Sequence, residues 1–378
     1  MNAFKRFVIT SIVLSFVLLG CVIGLLYVYD PLQLYHKPYF REITFSNDMR
    51  VQDKGIIKNY DFDSFILGTS MLENTAAKEA GEKIGGKWVN ISMAGSAFDE
   101  RAVILHYLFR QKPNVKHILY SLDIGGLIYD PVADTKKFDF LYDENEINDL
   151  KIYLNQKYIV CALLYSKSTK CVGYDDLETL VNWAKKERHN QNFGGIQNWL
   201  PRQDIFPTLK NAIDKLKQMP DIPSFETAPF TESIEANQHY IEKNLLSLAK
   251  TYPNTQFHLV VPTYLRLQYR IEEPAYYAKA KKVLQWLVQE VQALPNVKIY
   301  GFDDLDYADN IASYTDPTHY NVDMNSMQID AIANGTHILT PENIDEYLQT
   351  MENKIKAYDL APLIREIKEW EANSSKTK

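Results

Sequence analysis

Residues 62–71 read FDSFILGTSM, a short apolar run that stops abruptly at Gly68-Thr69-Ser70. An uninterrupted apolar run of this length, bounded by a turn residue, is expected of a strand buried on both faces of a parallel sheet. We take Phe62 to Leu67 as the first strand. Working outward, Trp88 to Ser92, His117 to Leu122, Phe257 to Val261 and Val297 to Phe302 have the same character. Between them Asp99 to Arg110 (DERAVILHYLFR) and Tyr277 to Val291 (YAKAKKVLQWLVQEV) carry apolar residues at helical spacing. Strands alternating with helices predict an α/β fold, a parallel five-stranded sheet with flanking helices.

About 130 residues, roughly Tyr129 to Asn254, separate the third and fourth strands. They are expected to form a helical insertion, since a bare loop of that length is rare. Pro341 to Trp370 reads as a charged helical run packed on the domain. The expected layout is residues 1–29 as cytoplasmic tip and anchor, 30–60 as junction, and 61–378 as the α/β domain with its insertion at 129–254.

From Phe7 to Tyr29 the chain runs 23 residues without a charge, more than the roughly 20 needed to cross a bilayer. Lys5 and Arg6 precede this segment and Asp30-Pro31 follow it, which predicts a single span with the N-terminus in the cytoplasm and the large domain in the periplasm or outside the cell. A cleaved signal peptide would have a shorter apolar core and a small-residue cleavage site. Leu18-Leu19-Gly20-Cys21 resembles a lipobox, but the following VIGLLYVY stays apolar where a lipoprotein linker turns polar.

The formal net charge of -7, without a cluster of Lys and Arg, argues against a nucleic-acid partner. Cys161 and Cys171 form no C-x-x-C pair and have no histidine at ligand spacing, so no metal site is expected; a disulfide and two free thiols both remain open for them. The letters of Gly81 to Lys87 fit a phosphate-binding loop, but Trp88 stands where a Ser or Thr is required.

Three elements carry chemistry. Ser70 follows a glycine at the carboxyl end of the first strand, the edge where such sheets gather ligands. The helix-forming residues after it (MLENTAAKEA) would set it at a helix N-terminus, where serine also serves as a plain cap. Asp316-Pro317-Thr318-His319 places a carboxylate three residues before a histidine, and none of the other seven histidines has that arrangement. A carboxylate holding one imidazole nitrogen leaves the other to face a nucleophile. Asn90-Ile91-Ser92-Met93-Ala94-Gly95 ends the second strand and offers the Gly95 N–H to the same edge, although a turn glycine needs no such role.

With Ser after the first strand, Gly after the second and D-x-x-H after the last, the sequence resembles the SGNH (GDSL-like) hydrolase superfamily over roughly Phe62 to Leu339. The resemblance implies a flavodoxin-like domain without a cofactor, with Ser70 as nucleophile, His319 as general base, Asp316 as orienting acid, and Gly95 with the Ser70 backbone as oxyanion donors. Gly68-Thr69-Ser70 stands for the usual Gly-Asp-Ser. In the third block Asp123 lies in the region of the asparagine that completes the family's oxyanion hole, and an ionised Asp123 cannot donate a hydrogen bond. With its single anchor, the chain is similar to the membrane-tethered DltD, AlgJ/AlgX and PatB types. These work beside multipass MBOAT acyltransferases on envelope polysaccharide. The expectation is an O-acyltransferase or esterase acting through an acyl-serine. The alternative is a catalytically silent assembly or binding protein that keeps the fold. The two are separated by whether Ser70 and His319 approach within about 3 Å.

Overall fold

A computed structural model describes residues 3–128, 133–178, 180, 183, 191–220, 225 and 230–376. They form two compact units, one of residues 1–62, 103–113 and 134–180, the other of residues 63–102, 114–133 and 181–378.

The second unit is a mixed α/β structure on a six-stranded, mostly parallel sheet. Strands β1 (Ser64–Leu67), β2 (Trp88–Asn90), β3 (His117–Ser121), β4 (Gln256–Val260) and β5 (Val297–Tyr300) run parallel in the order 2-1-3-4-5. A sixth strand, β6 (Ile338–Leu339), adds antiparallel to β5, so the five-stranded expectation is corrected to six. Two residues are too short a run to announce a strand; β6 forms because Ile338 and Leu339 meet Tyr300 and Ile299 at the open edge. All four residues of β1 are buried, which is why its sequence is continuously apolar apart from Ser64. Because the order reverses direction at β1 and β3, a crevice opens between their carboxyl ends.

In the first unit, helix α1 (Ala3–Tyr29) is long and apolar enough to cross a membrane. Beyond it, Asp30 is buried and collects its own turn. Its Oδ1 accepts from the Leu34 N–H at 2.9 Å and the Tyr153 hydroxyl at 2.5 Å, and its Oδ2 from the Tyr35 and His36 N–H groups at 2.8 and 3.0 Å. Helix α2 (Met49–Asn59) supplies Lys54, whose ammonium meets Asp149 at 2.5 Å with both side chains buried. Of the later helices, α3 (Ala77–Ile84) and α5 (Ile124–Ile128) belong to the sheet unit and α4 (Phe98–Gln111) contributes residues to both. Helices α6 (Gln156–Leu163) and α7 (Thr169–Val172) belong to the first unit and are joined by a Cys161–Cys171 disulfide. Gly173 follows with φ +77°, and a Cβ there would lie 1.9 Å from the Phe45 carbonyl oxygen, so only glycine closes this turn.

The long connection is divided. Residues 134–180 cluster with α1, and the later part up to residue 254 clusters with the sheet. Within the expected insertion, residues 129–132, 179, 181–182, 184–190, 221–224 and 226–229 lie outside the described residues. The closing charged run is two helices, Ile344–Ala357 and Ala361–Lys376, broken at the intervening Tyr358 to Leu360.

Candidate active site

Strand β1 delivers the chain into a tight elbow. A Cβ on Gly68 would meet Leu72 Cδ1 and Ser121 Oγ at 2.8 Å each, so the absence of a side chain lets neighbouring loops close on it. The Gly68 N–H donates to Ser92 Oγ and the Thr69 N–H to Ser121 Oγ, both at 3.1 Å. The elbow is thereby fastened to the ends of β2 and β3.

Ser70 does not head a helix. Residues 70–74 form a turn, the Leu72 N–H closing on the Thr69 carbonyl at 3.0 Å, and α3 starts only at Ala77. The turn's carbonyls are taken by side chains from distant sequence. Asn90 Nδ2 donates to the Leu72 and Thr75 carbonyls, while Tyr320 and Asn325 donate to Met71. With these acceptors occupied, the helix cannot extend back to Ser70.

The three residues singled out for catalysis come together within the sheet unit. Ser70 Oγ lies 2.7 Å from His319 Nε2, and His319 Nδ1 lies 2.7 Å from Asp316 Oδ2. Asp316 Oδ1 accepts from the Thr318 and His319 N–H groups, each at 2.9 Å, which fixes the carboxylate. The network assigns the proton on Nδ1 to the Asp316 bond and leaves Nε2 to accept from the Ser70 hydroxyl. Burial alone would raise the Asp316 pKa, but the His319 charge and its hydrogen bonds outweigh it and hold the carboxyl well below its usual range. For His319, burial works to lower the pKa, and Asp316, with smaller help from Glu73 and Asp123, carries it above the ordinary 6.5. Trp183, which the sequence reading did not pick out, donates its indole N–H to the Ser70 carbonyl at 3.3 Å and sets its ring edge-on to His319.

Ser70, His319, Gly95, Gly125, Gly126 and Tyr264 line a cavity of about 470 Å³. Gly95 sits at φ +61° beyond the end of β2, and a Cβ there would meet nothing within 4 Å. Among the described residues neither the Ser70 nor the Gly95 N–H has an acceptor within the protein. Both remain available to an oxyanion.

Asp123 lines the same cavity, but its oxygens are engaged. Oδ1 accepts from the Thr69 hydroxyl and Oδ2 from the Ser121 hydroxyl, each at 2.6 Å. Behind it lies Arg101, fully buried, with Nη2 at 3.8 Å from Asp123 Oδ2 and Nη1 donating to the Ser121 carbonyl at 2.7 Å. The guanidinium also lies over the Phe98 and Tyr120 rings. Asp123 therefore braces the elbow. Arg101, Thr69 and Ser121 were missed by sequence reasoning, because Arg101 stands beside Asp99 and Glu100 in a helical stretch that gives no local sign of its burial. Among the described residues, no three His, Cys, Asp or Glu side chains are grouped to hold a metal ion.

No family model matches the chain, and no curated protein matches it. The chemistry is accordingly read from the geometry. A hydroxyl, an imidazole and a carboxylate in hydrogen-bonded series are the arrangement in which a base, held by its orienter, can activate a nucleophile.

The pKa shifts have signed consequences. The Asp316 contribution to stability is present above the usual carboxylate range and fades as pH falls through the depressed value. The His319 contribution is present below pH 6.5 and is lost as pH rises through the raised value. Only neutral His319 can take the Ser70 proton. The rate of covalent labelling at Ser70 should thus rise with pH along one titration whose midpoint lies above 6.5, and Asp316→Asn should move the midpoint down. A pH–rate profile with its midpoint unchanged by that substitution would contradict the coupling.

Proposed function

We propose that the chain is a membrane-anchored, SGNH-like O-acyltransferase or esterase that acts on cell-envelope polysaccharide through an acyl-Ser70 intermediate. The observation that carries this reading is the Ser70–His319–Asp316 series with its two 2.7 Å links. The parallel strand order 2-1-3-4-5, the flavodoxin-like order, supports the fold part of the reading. Ser70 Oγ attacks the acyl carbonyl while His319 Nε2 takes its proton, and the Ser70 and Gly95 N–H groups receive the oxyanion. Collapse expels the donor's alcohol, which leaves with the proton from His319. An acceptor hydroxyl then gives its proton to His319 and attacks the acyl-serine, and collapse breaks the bond to Ser70 Oγ, which regains its proton from His319 as the acceptor leaves with the acyl group.

A fluorophosphonate probe followed by peptide mapping tests the reading: modification at Ser70 is expected. Folded protein that resists the probe, or that is modified elsewhere, would overturn it.

Transfer is favoured over hydrolysis. With both Asp123 oxygens committed as acceptors, Asp123 does not supply the donor that the family's asparagine gives, and losing one oxyanion donor costs roughly a hundredfold to a thousandfold in rate. An acceptor or donor held beside Ser70 recovers such a loss through effective concentration. The detergent-solubilised full chain is expected to hydrolyse small activated esters slowly, and transfer to polysaccharide in cells should require a multipass MBOAT-type partner. Brisk hydrolysis without a partner would identify an esterase instead.

The Cys161–Cys171 disulfide and the Lys5-Arg6 pair before α1 support an N-in anchor with the rest outside the cytoplasm. In cells quenched with acid and denatured, Cys161 and Cys171 should resist a thiol-alkylating reagent until reduced. Alkylation of both before reduction would place them in the cytoplasm.

A further inference from the structure

We infer that the first unit seats itself in the bilayer interface through an apolar collar around the outer end of α1. Residues near the start of α1 are exposed throughout, but from Val22 onward Val22, Ile23, Leu25, Leu26 and Tyr29 are shielded, and α6 packs on this helix. A hydrocarbon core of about 30 Å takes about 20 helical residues, so a span that begins at Phe7 reaches the outer boundary near Leu26. The stretch shielded within the protein thus starts while α1 is still inside the bilayer.

The residues fastened to that stretch are apolar and uncovered. The Tyr29 hydroxyl donates to the Ser166 carbonyl at 2.6 Å, and its ring meets Tyr165 edge-on. Immediately before this contact stand Leu163 and Leu164, 63% and 73% exposed, at the end of α6. On the junction side Phe40, 70% exposed, lies beside the Tyr165 ring, and Tyr39 stacks on His36, whose Nε2 is 2.8 Å from the Tyr27 carbonyl. Tyr39, Phe40, Leu163 and Leu164 are therefore held near Tyr27 and Tyr29, just past the boundary near Leu26, where the bilayer interface lies. Lys167 and Lys170 follow as exposed charges, the order of groups found at a headgroup boundary. An apolar cluster continuous with a spanning helix fits lipid, as the apolar face of an interfacial helix does.

The inference rests on α1 being a span, which extraction tests separately: release from membranes by alkaline carbonate would sink the span itself. For the collar, the full chain carrying Cys21→Ser is given single spin labels at Phe40→Cys or Leu164→Cys, with the native disulfide verified by mass spectrometry. It is reconstituted in vesicles of three parts phosphatidylcholine to one part phosphatidylglycerol. Both labels should collide several-fold more often with oxygen than with a water-soluble nickel chelate. Free collision with the chelate would show an aqueous surface and overturn the proposal. Shielding from both reagents would overturn it as well, since the patch would then be covered by protein.

Discussion

Ser70→Ala should eliminate phosphonate labelling and acyl transfer, and His319→Ala should do nearly the same. In the hydroxyl–imidazole series each group is useful only with the other, because the alcohol is a poor nucleophile until the base takes its proton. Losses between a thousandfold and a millionfold are on the order of those seen when such a unit is broken in a protease. The double variant should be no worse than the more impaired single one. Neither change should unfold the protein. Among the described residues the only side-chain bond of Ser70 Oγ is to His319, both groups reach the open cavity, and the elbow is held by Ser92 and Ser121. Rates are compared after circular dichroism and thermal melting show each variant to be folded. Additive losses, or a folded Ser70→Ala that still labels, would mean that the series is not the reacting unit.

Asp123→Ala should destabilise the protein by about 3–5 kcal/mol. The substitution strips the acceptors from the Thr69 and Ser121 hydroxyls and leaves the fully buried Arg101 without a carboxylate. Most of this cost should come from the cation left behind. The two aromatic faces and the Ser121 carbonyl offset it only in part. Adding Arg101→Met to Asp123→Ala should accordingly restore part of the loss, because no buried charge then remains. Denaturant midpoints of the single and double variants measure this. A double variant less stable than Asp123→Ala would show that Arg101 contributes mainly through packing.

The parallel strands were legible because burial on both faces demands uninterrupted apolar runs, and FIL, HIL and HLV supply them at intervals that flanking helices fill. Ser70, Asp316 and His319 could be singled out because Ser70 follows directly on a strand and Asp316 and His319 form a compact D-x-x-H pattern. What escaped was set by partners remote in sequence. The helix expected after Ser70 fails because Asn90, Tyr320 and Asn325 take its carbonyls, and no local propensity reports that. Asp123 read as a place for an oxyanion group, whereas Thr69 and Ser121 had already claimed both oxygens. Arg101 follows Asp99 and Glu100, so nothing local marks it as the fully buried residue that it is. The disulfide stayed open because spacing alone does not reveal that α6 and α7 are neighbours.

The path of the chain between the two units governs how the protein is made. Helix α1 is synthesised well before the rest of its unit, which needs residues 103–113 and 134–180 as well, with strands β1 to β3 synthesised in between. Asp30 waits for Tyr153, 123 residues later, and Phe45 waits for Asp175. Neither unit can mature as an N-terminal piece while the remainder is still emerging, so the usual order of folding one domain at a time during synthesis is closed to it. Pairings so distant in sequence also slow the search for the native state. A truncated gene product ending near residue 130 would carry α1 and three strands but no completed unit, making it a substrate for proteolysis instead of a working fragment.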